Sequence, residues 1–177
     1  MTGVSYMIPF VAAGGILIAV GFMLQDPVEV VKPSLGEALE ANNIPALIFR
    51  LGATAFGFLV PVLAGYIAYA IADRPGIVPG FVAGSLSGSL GAGYLGGLAG
   101  GIVAGLVAKW ISDQNVPSAL RSIMPIVVTP LVATLVTGFA MLYLIGKPVA
   151  SLNQSLTDWL AGLGGGSAVV LGIVLGL

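Results

Sequence analysis

The densest group of polar residues in the sequence is Asp73-Arg74-Pro75-Gly76, which is followed closely by a second Pro-Gly pair at Pro79-Gly80. Repeated Pro-Gly pairs predict a compact turn between two helical segments. The Asp73 and Arg74 side chains would lie at a membrane surface, where they either cap the turn or give the loop a gating or docking role. This loop is the candidate functional motif, although it does not identify substrate-binding residues.

The apolar segments contain few side chains that could take part in catalysis or ligand binding. Arg50 is the only charge well inside such a segment, and its position near the beginning of the segment fits a side chain that extends to the interface. The sequence has no histidine and no cysteine, which removes the commonest general base, thiolate catalysis and cysteine-bound metals. We therefore predict no catalytic residue, no metal site and no cofactor in this chain.

The composition of the chain indicates an integral membrane protein. Of its 177 residues, 58% are hydrophobic and 7% are charged, with a mean hydropathy of +1.09. Soluble domains carry about 25% charged residues, so a soluble enzyme and a disordered chain are both excluded. A net charge of −1 provides no basic surface for nucleic acid.

The hydropathy pattern predicts an all-α, polytopic fold with about five transmembrane helices. The predicted spans are 4–24, 46–72, 77–90, 91–111 and 124–145, with an interfacial amphipathic helix at 148–163 and the truncated start of a sixth span at 168–177. Ser34 and Glu37 have capping-box spacing, which predicts a short surface helix in the first loop. The truncated last span favours a fragment of a longer transporter over a short re-entrant tail. Lys and Arg are divided equally between the two sides, so charge does not set the orientation.

The excess of glycine is organised in rows four residues apart, of which the clearest is Gly93, Gly97, Gly101 and Gly105. A second row, Gly96, Gly100, Ala104 and Ala108, lies beside it. Residues four apart share a helix face, and small residues there let a neighbouring backbone approach closely in lipid. We expect the helix at 91–111 to pack tightly against neighbours on two sides, rather than to line a pore.

Four ordered motifs resemble a known family of sugar permeases. They are 3–19 (GVSYMIPFVAAGGILIA), 72–82 (ADRPGIVPGFV), 91–97 (GAGYLGG) and 124–126 (MPI). Together they are similar to enzyme IIC of the fructose phosphotransferase system (PTS), within the glucose–fructose–lactose superfamily. The resemblance covers essentially the whole chain.

The resemblance implies a multi-pass permease of the cell inner membrane that binds a sugar, most commonly fructose. The permease would expose the sugar to a IIB partner, which phosphorylates it, and IIA would be a further phosphocarrier domain of the same system. It also implies a cytoplasmic N-terminus, so that the Asp73–Gly76 loop faces inward. In related structures the first five helices form the homodimer interface, and the sugar site lies in the C-terminal half with a Gly-Ile-Thr-Glu type motif. That motif does not occur in these 177 residues.

The chain therefore resembles the scaffold and dimerisation half of such a permease, without the sugar site. Its status as an enzyme stays open, since it would belong to a phosphotransferase complex without supplying catalytic residues. Two alternatives also remain, a glycine-zipper scaffold or channel and a fragment of an unrelated secondary transporter. The sugar itself is not fixed, and mannitol, mannosylglycerate and related hexoses are alternatives to fructose.

Overall fold

A computed structural model of the chain describes residues 2–114 and 127–164, and the described residues are organised in helices joined by short turns. The helices are α1 Thr2–Ser5, α2 Ile8–Leu24, α3 Pro27–Val31, α4 Leu35–Glu40, α5 Ile44–Gly57, α6 Leu59–Ala72, α7 Ile77–Ser89, α8 Gly93–Ser112, α9 Thr129–Phe139 and α10 Gly146–Gly164. A 3-10 turn, Arg74–Gly76, joins α6 to α7, and a π-helical segment, Ala140–Ile145, joins α9 to α10. The all-α prediction is confirmed.

Two of the predicted spans are broken by proline. A proline in a helix lacks an N–H and crowds the carbonyl four residues earlier. Pro9 therefore disturbs the helix at Ser5, where α1 ends, and Pro61 disturbs it at Gly57, where α5 ends. The stretches 4–24 and 46–72 are each a bent pair of helices, rather than one straight helix.

Local capping defines the loop between α2 and α5. The Ser34 side chain accepts a hydrogen bond from the Glu37 N–H at 3.3 Å, and the Ser34 N–H donates to the Glu37 carboxylate at 2.7 Å. This is the capping box that the sequence predicts at the start of α4. At the other end of α4, Asn42 takes a left-handed conformation with a φ of 50°, which asparagine tolerates better than most residues.

The helices form two packed units. The first, named here the α2–α5 hairpin, consists of α2 and α5 packed against each other with α3 and α4 at one end. The second, named the α6–α9 bundle, consists of α6, α7 and α8 in mutual contact, with α9 against α7 and α8. The α5–α6 bend joins the two units, and α1 packs on α6.

The lengths and compositions of the helices suit a membrane protein. Three apolar helical stretches, Ile44–Ala72, Gly93–Ser112 and Thr129–Gly162, are long enough to cross a bilayer, and Ile8–Leu24 is a shorter apolar helix. The chain is accordingly a polytopic, all-α membrane protein. α7 has 13 residues, so at about 1.5 Å per residue it is shorter than a straight crossing requires.

Several predictions concern residues whose placement the structure does not describe. The first residues of the predicted span 124–145, including the 124–126 motif, and the truncated span 168–177 lie outside the described residues. The predicted interfacial helix corresponds to α10, which follows the π-helical segment directly. α10 is held to the bundle by Asn153, whose side-chain amide donates to the Gly91 carbonyl at 3.1 Å.

Candidate functional site: glycine faces, the loop after α6 and a tyrosine-lined cleft

One face of α8 lies directly against the backbone of α6. A Cβ atom added to Gly101 would lie 2.8 Å from the Ala64 carbonyl oxygen, and one added to Gly105 would lie 2.8 Å from the Cβ of Ile71. Both distances are shorter than real Cβ contacts, so the side chains of larger residues have no room on this face. Gly97, on the same face of α8, lies against the side chain of Val60 of α6.

The second row of small residues on α8 faces different neighbours. A Cβ on Gly100 would lie 3.1 Å from the Cβ of Ala83 on α7 and 3.0 Å from the sulfur of Met141 in the π-helical segment. Gly96 lies against Ser87 of α7, and Ala104 and Ala108 are fully buried. The two rows of α8 therefore contact two different sets of neighbours.

Gly93 differs from the other members of its row. It begins α8 with a φ of +54°, and Gly91 just before it has a φ of +72°. Glycine adopts these left-handed values without the steric penalty of a side chain. A Cβ on Gly93 would meet Asn153 of α10 at 3.3 Å rather than α6. The position of Gly93 is thus set by the turn between α7 and α8.

The loop after α6 is a tight turn with one strained residue. Asp73 has a φ of 58° and a ψ of −149°, a combination almost restricted to glycine. Its N–H donates to the Tyr69 carbonyl at 2.7 Å, and its carbonyl accepts from the Gly76 N–H at 3.0 Å. The Asp73 side chain makes no capping hydrogen bond to the 3-10 turn. Gly76 is buried, and a Cβ there would lie 2.5 Å from the Ala68 carbonyl oxygen.

A cleft of about 610 Å³ opens beside this loop, between the ends of α6 and α8 and the start of the chain. Its lining residues are Tyr6, Tyr66, Tyr69, Ala70, Ile71, Ala72, Asp73, Lys109, Ser112 and Asp113. Only Asp73 of this set was a candidate from the sequence. The signal in the sequence was the close spacing of Tyr66 and Tyr69 near the end of one apolar segment, matched by Lys109 and Asp113 at the end of another.

Arg50 has a defined role in holding the first loop. Its guanidinium donates to the Pro33 carbonyl at 2.8 Å through Nε and to the Val31 carbonyl at 2.6 Å. Val31 is the last residue of α3, where backbone acceptors lack helical partners, and Pro33 lies in the turn between α3 and α4. The charge near the start of the predicted span is thus bound to the α3–α4 segment. Within the described ranges, no group of three or more acidic, histidine or cysteine residues is placed to hold a metal.

The known proteins that this chain resembles are components of phosphotransferase systems and related permeases. The chain is 56% identical over 178 residues to the PTS system fructose-specific EIIB'BC component of Escherichia coli K12 and 54% identical over 177 residues to that of Rhodobacter capsulatus. It is 42% identical over 177 residues to the fructose-like permease IIC component 2 of Escherichia coli K12. No solved structure matches the chain significantly.

The matches cover 99%, 99% and 100% of this chain, but 30%, 29% and 48% of the respective relatives. The chain thus spans less than a third of the two fused relatives and about half of the third. The family model described as "Phosphotransferase system, EIIC" matches residues 1–177. The chain therefore belongs to the phosphotransferase system EIIC family.

Proposed function

We propose that this chain is part of the membrane-embedded permease component, enzyme IIC, of a phosphoenolpyruvate-dependent sugar phosphotransferase system, with fructose as the sugar. The observation that carries the proposal is the match of the EIIC family along all 177 residues, together with two relatives above 50% identity whose names specify fructose. The fusion of EIIB with EIIC in those relatives supports a IIB domain as the phosphorylating partner, with IIA upstream of it. The proposed location is the cell inner membrane.

Uptake by the intact gene tests this function. Deletion of the gene that contains these residues should abolish phosphoenolpyruvate-dependent accumulation of labelled fructose, and the intact gene supplied in trans should restore it. Mannitol and mannosylglycerate serve as competing sugars in the same assay. Restoration of uptake of one of these sugars, but not of fructose, would contradict the fructose assignment while leaving the permease assignment intact.

We further propose that residues 1–177 act as the scaffold and dimerisation part of the permease, and that the transported sugar binds elsewhere. Support comes from the α2–α5 hairpin, which is two helices thick and exposes large apolar side chains such as Ile16, Met23 and Leu51. Such a surface requires lipid or a second copy to cover it. We expect the 177-residue chain by itself to form dimers in detergent without accumulating fructose in cells. Fructose accumulation by this chain alone would overturn the scaffold proposal.

The glycine row Gly93, Gly97, Gly101 and Gly105 is proposed to serve helix packing within this scaffold. The close approach of Gly101 and Gly105 to α6 supports this role for two of the four residues most directly. The loop Asp73-Arg74-Pro75-Gly76 is proposed to act in gating or docking at the cytoplasmic side. Arg74→Ala tests the loop, because a gating role predicts normal expression with reduced uptake, whereas a purely structural role predicts reduced expression.

A further inference from the structure

The π-helical segment Ala140–Ile145 lies within one long helical stretch, between α9 and α10. In a π-helix each N–H bonds to the carbonyl five residues earlier, so a turn holds about one residue more than an α-helical turn. The Gly146 N–H donates to the Met141 carbonyl in this pattern at the end of the segment. Such segments are rare and are found frequently at functional sites. A change of the segment to α-helix would alter how α9 is rotated relative to α10.

Gly146 is the residue that permits the π-helical pattern. A Cβ atom added to it would clash with the Met141 carbonyl oxygen and would lie 2.5 Å from Cδ1 of Leu90. The side chain of Met141 is fully buried, and its sulfur faces Gly100 of α8. Methionine is flexible and fills irregular spaces. The segment therefore combines a backbone pattern that depends on one glycine with a buried side chain that adapts to movement.

Small side chains hold α9 against α7 and α8. Thr129, Ala133 and Thr137 are fully buried and, being four residues apart, share one face of α9. The hydroxyls of Thr129, Thr134 and Thr137 are buried and have no hydrogen-bond partner among the described residues. These threonines are the only residues of α9 with polar side chains. No directional side-chain bond from α9 thus fixes its rotation in the part of the chain that the structure describes.

A groove of about 520 Å³ lies between α9 and the start of α7. Its lining residues are Val78, Val127, Pro130, Leu131, Thr134 and Leu135. Leu131 and Leu135 are 57% and 55% exposed, so more than half of each side chain lies outside protein contacts. The groove leaves room on the α7 side of α9 for large side chains to enter.

Conversion of Ala140–Ile145 to α-helix would rotate α9 by about one residue position, or roughly 100°. An α-helix turns further per residue than a π-helix, so each position that faces α8 would be taken by the next residue along the chain. The row Thr129, Ala133 and Thr137 would be replaced by Pro130, Thr134 and Gly138. The second row is also made of small residues, so it fits the same surface of α8. Leu131 and Leu135 would then turn into the groove beside α7.

We propose that α9 is a switch helix with two packing positions and that the π-helical segment is its pivot. The described structure has the first position, with a π-helical pivot, the 129–133–137 row on α8 and an open groove. In the second position the pivot is α-helical, the 130–134–138 row lies on α8 and the groove is closed. The proposal concerns packing within the chain and does not rest on the proposed sugar transport, so uptake and rotation are independent outcomes.

The absence of cysteine from the chain allows each position to be trapped separately. Ala133 and Ala108 belong to one buried cluster, so Ala133→Cys with Ala108→Cys reports the first position. Thr134→Cys with Ala108→Cys reports the second. Val132→Cys with Ala108→Cys is the control, because Val132 faces α8 in neither position. The full chain in nanodiscs is oxidised with copper phenanthroline, and disulfides are counted by mass spectrometry. The 133–108 disulfide should form fastest, the 134–108 disulfide more slowly, and the 132–108 disulfide not at all.

Two further variants should shift the balance in opposite directions. Gly146→Ala disfavours the π-helical pivot and should raise the initial rate of the 134–108 disulfide about ten-fold, because the second position starts as a minor state. Gly162→Ala, where a Cβ meets nothing within 4 Å, is the control. Gly138→Leu enlarges the row that enters in the second position, whereas in the first a Cβ there lies 4.0 Å from its nearest neighbour, in Leu86. It should abolish the 134–108 disulfide and keep the 133–108 disulfide.

Three results would overturn the proposal. The first is a 134–108 disulfide that forms no faster than the 132–108 disulfide, which would mean that α9 has one position or is loosely packed in general. The second is the same 134–108 rate in Gly146→Ala and Gly162→Ala, both with the melting temperature of the parent. The third is persistence of the 134–108 disulfide in Gly138→Leu, and this variant decides the question if Gly146→Ala does not fold.

Discussion

The α6–α9 bundle and the α2–α5 hairpin use the same close-packing device with different consequences. In the bundle, α8 has small residues on two faces, so α6 contacts one face and α7 the other. In the hairpin, Gly14 and Gly52 bring α2 and α5 together, and among the described residues the main further contacts of this pair are with the short helices α3 and α4 at one end. Leu63 in the bundle is fully buried, whereas Met23 in the hairpin is 84% exposed. A helix with one partner can move away to relieve a clash more readily than a helix with two.

The largest expected effect is at the centre of the bundle. Gly101→Leu places a branched side chain against the Ala64 backbone, where even a Cβ would lie 2.8 Å from the carbonyl oxygen. We expect a loss of about 3 kcal/mol or more in the free energy of unfolding, because backbone rather than a flexible side chain opposes the insertion. Thermal unfolding in detergent measures it, with Gly97→Leu as a second member of the row.

Gly88→Leu is the matched control, since a Cβ at Gly88 of α7 meets no atom within 4 Å. It should leave the melting temperature and the expression level unchanged. Equal stability of Gly101→Leu and Gly88→Leu would mean that α8 and α6 are not in close contact.

The corresponding change in the hairpin should cost less. A Cβ atom added at Gly52 would lie 2.8 Å from the backbone of α2 at both Gly14 and Ile18, so the side chain of Gly52→Leu meets backbone. Because α2 is free to shift outward, we expect a loss of about 1–3 kcal/mol, with the bundle remaining folded. Hydrogen exchange of the α2 amides and of the α8 amides measures the stability of the hairpin and of the bundle separately. Gly57→Leu, where a Cβ meets nothing within 4 Å, is the control. A loss of protection in α8 as large as that in α2 would show that the two units unfold together.

A substitution at the end of the α6–α9 bundle should stabilise the protein, whereas the glycine substitutions above should destabilise it. Asp73→Gly removes the backbone strain at a φ of 58° and a ψ of −149°. Relief of this strain should raise the free energy of unfolding by about 1 kcal/mol, and a rise in melting temperature measures it. Asp73→Asn, which keeps a side chain at the strained position, is the control and should give no increase. A lower melting temperature for Asp73→Gly would contradict the strain assignment.

The smallest expected effect is a pH-dependent change in the stability of α4, the short helix in the loop between α2 and α5. The backbone N–H of Ser34 is the main cause that holds the pKa of Glu37 below its ordinary value of 4.5, with smaller contributions from the Ser34 hydroxyl and the charge of Arg50. Folding therefore favours the ionised carboxylate. The stabilisation is complete above the unfolded pKa, and it is lost as the pH falls through the lower, folded pKa.

Glu37→Gln should remove this acid sensitivity of α4 while leaving the bundle unaffected. Hydrogen exchange of α4 amides, measured from near neutral pH to below the folded pKa and corrected for intrinsic exchange, gives the comparison. Glu40→Gln, outside the capping box, is the control. The same acid-induced loss of protection in Glu37→Gln and in the unaltered chain would contradict the assignment.

Much of the local structure followed from the sequence. Pro9 and Pro61 account for the two bent spans, because a proline disturbs the helix at the residue four positions before it. The capping box at Ser34 and Glu37 was placed correctly, since both partners lie within one turn. The tyrosine cleft was missed, because it joins residues from the beginning, middle and end of a sequence stretch of more than a hundred residues.

The sequence by itself determined the class of protein, the helical fold and the existence of small-residue faces on α8. These properties depend on composition and on spacings of one helical turn. Only the tertiary structure decided which face meets α6 and which meets α7, how Gly93 serves a turn instead of a face, and that Tyr6 stacks on Tyr66. The physical reason is that small residues permit a close approach without specifying a partner. The partner is chosen by the packing of the whole bundle, to which distant parts of the chain contribute together.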